Sequence, residues 1–299
     1  MSDVQQPSAA QPLPPFTLLL PVYAGDRPDY LERAFRSSTA DQTVPPAEVV
    51  LVQDGPVSTE LAATIASLVA DTALPVRLVV LEQNAGLAAA LTRGLAEARH
   101  DLVARMDADD ISLPHRFATQ LPRVVEGRLD LLGSGMFEFE SEAGTLLRKR
   151  IPLTGSEAIA AYARFHSPFN HPTVILRKSA VLAAGGYVAI GRMEDYWLWA
   201  RMIAAGARVD NVDVPLLMYR VSDGAYRRRG GIGQLRSEIA LQRAFRGIGF
   251  TSRQQATRNL LIRTVYRLVP ERVRKVAYRL LIARGGRDAP LAESREGDL

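Results

Sequence analysis

The feature that most restricts this chain is a repeating order in its first third: short apolar, β-branched runs separated by stretches whose apolar residues recur at helical spacing. Residues 16–20 form an apolar run closed by Pro21. Further strand-like runs cover residues 48–53, which end on Asp54-Gly55-Pro56, then 76–81 and 101–106. Between them, residues 28–37 carry Tyr30, Leu31, Ala34 and Phe35 one helical face apart. Residues 59–70 also read as a helix, and residues 86–100 place Leu87, Ala90, Leu91, Gly94, Leu95 and Ala98 on a single stripe. Strand, helix, strand, helix, strand is the grammar of an α/β domain with a mostly parallel sheet. Such crossovers leave the C-terminal end of every strand on one edge, and ligands bind at that edge.

Beyond about Arg150 the order loosens. Residues 155–164 and 194–205 read as helices, and residues 174–176 and 216–219 as short strands. From residue 230 onward basic helices are expected, ending in a disordered stretch. The division that follows is a flexible leader at 1–15, a catalytic domain at 16–229 and a basic helical extension at 230–299. The chain has no cysteine, which excludes disulfides, thiolate metal sites and cysteine nucleophiles. Neither a signal peptide nor an apolar run of the roughly 20 residues that span a bilayer is present, so a cytoplasmic protein is expected. The net charge of +5 is concentrated in the arginine-rich stretch from Arg227 onward. That asymmetry suits either an anionic partner for the tail or a solvated basic surface.

Chemistry concentrates in a few acids. Asp107, Asp109 and Asp110 follow a predicted strand directly, and three carboxylates so close repel unless a cation or hydrogen-bond donors offset them. Asp107 and Asp109 are two residues apart and can face one cleft from an extended turn. Hard oxygen ligands of this kind suit Mg²⁺ or Mn²⁺, which in turn hold diphosphate oxygens. The plainer alternative is helix capping, since Ser112-Leu113-Pro114 resembles a helix start; Asp110 is expected to serve partly in that way. Asp54 closes a strand on the binding edge, where it could accept hydrogen bonds from a base or a ribose, or simply shape a turn. Glu194 and Asp195 open a helix containing Tyr196, Trp197 and Trp199. They are either helix-start acids or, in a dry aromatic pocket, a carboxylate base with a raised pKa. Asn170 and His171 precede a strand, where His171 is either a structural hydrogen-bonder or a substrate-side residue. The four histidines have no zinc spacing, and no glycine-rich phosphate loop is present.

Taken in order, these pieces resemble the family 2 glycosyltransferases, whose fold is GT-A. The resemblance spans roughly residues 16–231. Leu20-Pro21-Val22-Tyr23 is similar to the family's opening strand and nucleotide-contact turn, and Asp54 to its base-reading aspartate. Asn84 through Leu91 and Arg105-Met106-Asp107-Ala108-Asp109-Asp110 are similar to its central block with the D-x-D motif, followed by Leu113-Pro114-His115-Arg116-Phe117. Asn170-His171-Pro172-Thr173 and Glu194-Asp195-Tyr196 resemble acceptor-side motifs, and Tyr219-Arg220-Val221 with Arg227-Arg228-Arg229-Gly230 the closing loop. The chain departs from the family pattern at Ala24 and Thr92, where asparagine is common. It departs again at Ser222 and Asp223, where a histidine often stands near the metal. It also lacks the Q-x-x-R-W and membrane helices of processive synthases.

The resemblance implies a GT-A catalytic domain with a C-terminal helical extension. Pro21, Tyr23, Asp54, Asn84 and Asp107 would contact the nucleotide donor, and Asp109 with Asp107 would bind Mg²⁺ or Mn²⁺. Asp195 would be the catalytic base, supported by Glu194, with Asn170, His171 and Trp197 on the substrate side. It further implies inverting transfer from a nucleotide-diphosphate sugar, expected to be a UDP-sugar, to a saccharide or lipid-linked saccharide during cell-surface polysaccharide synthesis. No nucleic-acid partner is expected. From Arg258 to Arg284 apolar and basic residues interleave. That pattern suits peripheral contact with an anionic membrane at the inner face of the plasma membrane, or a helical pair packed on the catalytic domain. The rival functions are a nucleotidyltransferase, disfavoured by the missing glycine-rich basic loop, and a non-enzymatic membrane-associated sugar-binding protein, disfavoured by Asp107, Asp109 and Asp195 together.

Overall fold

A computed structural model describes residues 13–140, 145–221 and 232–268; the expectations for most of the leader, for the closing loop and for the chain end lie outside these. The first elements are β1 (Thr17–Tyr23), α1 (Pro28–Ser37), β2 (Glu48–Asp54), α2 (Thr59–Asp71), β3 (Val76–Val80), α3 (Leu87–Glu97) and β4 (Leu102–Arg105). All fall where periodicity puts them. There follow β5 (Ile111–Ser112), α4 (Arg116–Glu126), β6 (Leu131–Glu140), β7 (Leu146–Arg150), α5 (Ser156–Tyr162), β8 (Ile175–Arg177), α6 (Lys178–Ala183), α7 (Glu194–Ala204), β9 (Val209–Val221), α8 (Ile232–Gly247) and α9 (Arg253–Leu268).

One mixed sheet runs β3-β2-β1-β4-β8-β6-β9-β5, with β7 added to β6. The half from β3 to β4 is all parallel, with Tyr23 level with Asp54 and Leu19 level with Arg105. Strand alternation divides the core. Leu18, Leu20, Val22, Val49 and Leu51 face Leu31 and Phe35 of α1, Leu61 and Ile65 of α2, and Phe117 and Leu121 of α4. Leu19, Val50, Val52 and Val103 face Leu91 and Leu95 of α3 and Leu198 and Trp199 of α7. Both faces are covered, which is why these strands read as unbroken apolar runs. Each such leucine contributes roughly 1.5–3 kcal/mol by leaving water. Gly94 lets α3 lie flush on the sheet, since a Cβ there would collide with Leu19.

The remainder differs from expectation in instructive ways. Residues 112–114 do not start a helix. Ile111 and Ser112 pair with Met218 and Leu217 of β9, and α4 begins at Arg116, with His115 at its N-cap and no side-chain cap. Asp110 therefore caps nothing. The short strand expected at residues 216–219 is the end of a much longer β9, which runs parallel to β6. Strand β6 was not anticipated, because Gly133, Ser134 and Gly135 interrupt its apolar pattern although every residue from 131 to 136 is buried.

The described part of the extension packs on the α/β domain. Phe245 of α8 meets Tyr196 at 5.0 Å and Phe250 at 5.1 Å between ring centres. In α9, Asn259 Nδ2 donates to the Arg164 carbonyl at 2.8 Å, and Arg263 pairs with the fully buried Glu238 at 3.1 Å. Leu261 and Ile262 remain 66% and 53% exposed. The later part of the expected amphipathic run lies outside the described residues. Among the described residues no helix is long and apolar enough to cross a membrane.

Candidate active site

Because β1, β2 and β4 are parallel, the segments that follow them gather on one edge. Asp54, the last residue of β2, is buried, and its two carboxylate oxygens accept the Ala85 and Gly86 amides at 2.7 and 2.9 Å. Asn84 Nδ2 returns a bond of 3.3 Å to the Asp54 carbonyl. Two glycines permit this junction. Gly55 and Gly86 both have φ of +85°, and a Cβ on Gly55 would strike the Asn84 amide. Asp54 thus fixes the loop carrying Asn84, which is itself exposed. Pro21 is buried in β1, level with Val52, whereas Tyr23 is 47% exposed at the strand end. The Tyr23 amide donates to Asp26 Oδ2 at 2.9 Å, closing the turn into α1.

Asp107, Asp109 and Asp110 each offer a carboxylate oxygen within 4.8 Å of the others, a group able to hold a metal ion. Their environments differ. Asp107 is gripped by the buried Arg105 guanidinium, Nη1 to Oδ2 at 2.8 Å with Nη2 on the other oxygen. Asp110 accepts the Arg220 amide on Oδ1 at 2.9 Å, while its buried Oδ2 has no hydrogen-bond partner. Burial, then the Asp107 charge, raises Asp109 to about 6. Asp110 is pushed well above the carboxylate range by burial and by both neighbours. Asp26 joins this field: burial chiefly, with smaller contributions from Asp109 and Asp107, carries it to about 7. Crowded acids and an orphaned buried oxygen are what a site built around a cation requires.

Cations are built in beneath them. Burial works against the Arg105 charge, but Asp107, Tyr187 and Asp110 outweigh it and raise its pKa. Arg116, wholly buried, reaches the Arg105 carbonyl at 2.7 Å and Ser112 Oγ at 3.0 Å. Burial and the neighbouring Arg105 bring it down to about 9.

Glu194 and Asp195 form the first turn of α7. The pKa of Asp195 is raised by burial, against the pull of the Tyr196 amide on Oδ1 at 2.7 Å and of the Arg105 charge. Glu194 is raised by burial too. Arg105 therefore acts electrostatically on the D-x-D acids and on this pair alike. The helix turns its aromatics to different sides. Trp199 packs edge-on to Phe169 and His171 at 5.5 and 5.6 Å. Trp197, expected on the substrate side, lies 6.1 Å from Phe245 of the extension and 5.0 Å under Arg201 of its own helix, and is only partly buried. Asn170 and His171 are also supports rather than exposed contacts. Asn170 Nδ2 donates to the Ser134 carbonyl at 2.9 Å, and His171 Nε2 pairs with the Tyr187 hydroxyl at 3.0 Å. Burial holds His171 well below its usual pKa, hence neutral.

Sequence reasoning gave no site role to Asp26 or Tyr187, and quoted Arg105, Arg116 and Arg220 only as motif letters. One signal was available for Arg105: it lies two residues before Asp107, on the same side of an extended segment otherwise apolar.

Parallel strands thus gather one acid group on the sheet edge, and a second acidic pair opens α7. The chain belongs to glycosyl transferase family 2, whose sequence model matches residues 17–186. It is 39% identical to the amylovoran biosynthesis glycosyltransferase AmsE of Erwinia amylovora, over 88% of this chain and 97% of that one. It is 37% identical to the UDP-Gal:alpha-D-GlcNAc-diphosphoundecaprenol beta-1,3-galactosyltransferase of Escherichia coli, over 91% and 98%. Among solved structures, S. aureus TarS 1-349 in complex with UDP-GlcNAc superposes with a TM-score of 0.60 at 17% identity, covering 82% of this chain and 70% of TarS. The mannosyltransferase PcManGT from Pyrobaculum calidifontis, in complex with GDP-Man and Mn²⁺, gives 0.59 at 15% identity, covering 94% and 80%. At those identities the two structures speak for the GT-A fold alone.

Proposed function

We propose that this protein transfers a sugar, with inversion, from a UDP-sugar to a hydroxyl of a saccharide carried on a lipid diphosphate. The observation that carries the reading is the acid group at the sheet edge: Asp107, Asp109 and Asp110 each offer a carboxylate oxygen within 4.8 Å of the others, and Asp107 is paired with the buried Arg105. The name of the Escherichia coli galactosyltransferase supports uridine as the base and a lipid diphosphate as the carrier.

In this reading Asp195 accepts the acceptor hydroxyl's proton as that oxygen attacks the anomeric carbon, and the nucleoside diphosphate departs from the opposite face. Burial raises the pKa of Asp195 and so improves it as a base. Glu194 keeps a second carboxyl beside it. Tyr23, Asn84 and the loop held by Asp54 receive the nucleotide, with Pro21 fixing the strand behind. Asp109, Asp107 and Asp110 would hold Mg²⁺ or Mn²⁺, the orphaned Asp110 oxygen being part of the fit. A bound divalent ion supplies positive charge for the departing diphosphate. The exposed Leu261 and Ile262, beside the arginines of α9, suit peripheral contact with the inner face of the membrane that carries such an acceptor.

The test is Asp195→Asn. Loss of a general base costs about 10²–10⁴ in rate, so transfer to a lipid-diphosphate-linked sugar should collapse while UDP-sugar binding by calorimetry stays within a few-fold. Near-normal turnover would remove Asp195 from the role. Release of inorganic diphosphate rather than UDP would indicate a nucleotidyltransferase.

A further inference from the structure

We propose that Arg220 is a positioning residue for the metal-holding acids, clamping the Asp109 carbonyl and the Asp110 carboxylate from the end of β9. The inference rests on the metal-binding reading above. Arg220 grips two consecutive residues from both its main chain and its side chain. Its amide donates to Asp110 Oδ1 at 2.9 Å, and its Nε donates to the Asp109 carbonyl at 2.7 Å. The guanidinium lies between two rings, 3.8 Å from the centre of Tyr30 in α1 and 4.6 Å from that of Phe139 in β6.

The clamped segment needs such help. Asp109 and Asp110 stand in the link between β4 and the two-residue β5, which offers few backbone bonds of its own. The planar guanidinium is suited to holding a carbonyl while stacked on aromatic faces, and an ammonium is not. Turning the Asp109 carbonyl would swing its carboxylate, and outer groups that orient ligands typically govern affinity by about 10–100-fold. Charge alone argues the other way, because a guanidinium close to Asp109 repels a divalent cation. Position and charge therefore predict effects of opposite sign when Arg220 is replaced.

The experiment titrates Mn²⁺ into the full chain without donor, following free Mn²⁺ by electron paramagnetic resonance, with melting temperatures in parallel. Arg220→Gln and Arg220→Lys should both bind Mn²⁺ about ten-fold or more weakly than the unmodified protein. Tyr30→Leu, which keeps both hydrogen bonds but removes one ring, should lose about 2–5-fold. Tighter binding by Arg220→Gln with unchanged binding by Arg220→Lys would show a charge effect only and overturn the proposal, as would unchanged binding in both. Should the Arg220 variants fail to fold, Tyr30→Leu decides, and unchanged affinity there overturns it. If the unmodified protein itself takes up no Mn²⁺, the metal reading fails and the positioning role falls with it, an outcome visible before any variant is made.

Discussion

Replacing Asp26 by Asn should make the metal-free protein more stable at neutral pH and less responsive to metal. The Asp26 carboxyl is raised from 3.8 to about 7, chiefly by burial. Each unit is worth about 1.36 kcal/mol, so the gap sets a ceiling of about 4 kcal/mol on what its ionisation costs the folded state. The side chain is only partly enclosed, and water reduces that ceiling, so Asn should recover about 1–2 kcal/mol, or roughly 2–6 °C in melting temperature. Asn also keeps an oxygen for the Tyr23 amide. The sign follows from proton binding. The folded state retains a proton that the unfolded chain releases, so stability falls as pH rises from about 4 to about 7 and levels off above. The variant's advantage should therefore be small near pH 4.5, grow to about pH 7 and then stay constant, as measured by scanning fluorimetry in chelator. With Mn²⁺ and donor present the order should reverse, because a negative charge near the metal-holding acids has been lost. A lower metal-free melting temperature for Asp26→Asn at pH 7.5, or a difference that ignores pH, would refute the reasoning.

Chelation of divalent ions should abolish both transfer and the thermal stabilisation produced by donor, with Mn²⁺ or Mg²⁺ restoring both; donor stabilisation that persists in chelator would contradict the acid group's role. Gly55→Ala should cost about 1–2 kcal/mol for its left-handed backbone alone, plus the collision with the Asn84 amide, and should raise the donor KM; an unchanged KM would separate that loop from the nucleotide. Phe245→Ala removes a fully buried ring shared with Tyr196 and Phe250 and should cost about 3–5 kcal/mol in denaturant unfolding. A cost under about 1 kcal/mol would mean that the extension is not integral to the folded unit.

How much of this was legible in the sequence depended on local repetition. The parallel half announces itself because β1, β2 and β4 are covered on both faces and carry unbroken apolar runs. The acids were legible as residue types, since three carboxylates after a strand demand compensation. Their division of labour was not. Asp110 resembled a helix cap until its amide partner proved to be Arg220, over a hundred residues further on. Trp197 and Trp199 are two residues apart, and only the packing of α8 decides which of them faces the extension. Asn170 and His171 advertised polar chemistry, and only the fold shows that Asn170 Nδ2 is taken by Ser134 and His171 Nε2 by Tyr187. Long-range pairings of this kind leave no periodic trace. Asp26 was missed for the same reason: its raised pKa comes from an enclosure assembled by other segments.

The family's sequence match stops at Gly186, eight residues short of Glu194 and inside the domain that houses the chemistry. The helix bearing Asp195 is instead buttressed from behind by Phe245 and Phe250. On the proposed roles, a disturbance of that rear wall should slow turnover while donor affinity holds, and a fragment trimmed to the matched region should lack the proposed base altogether.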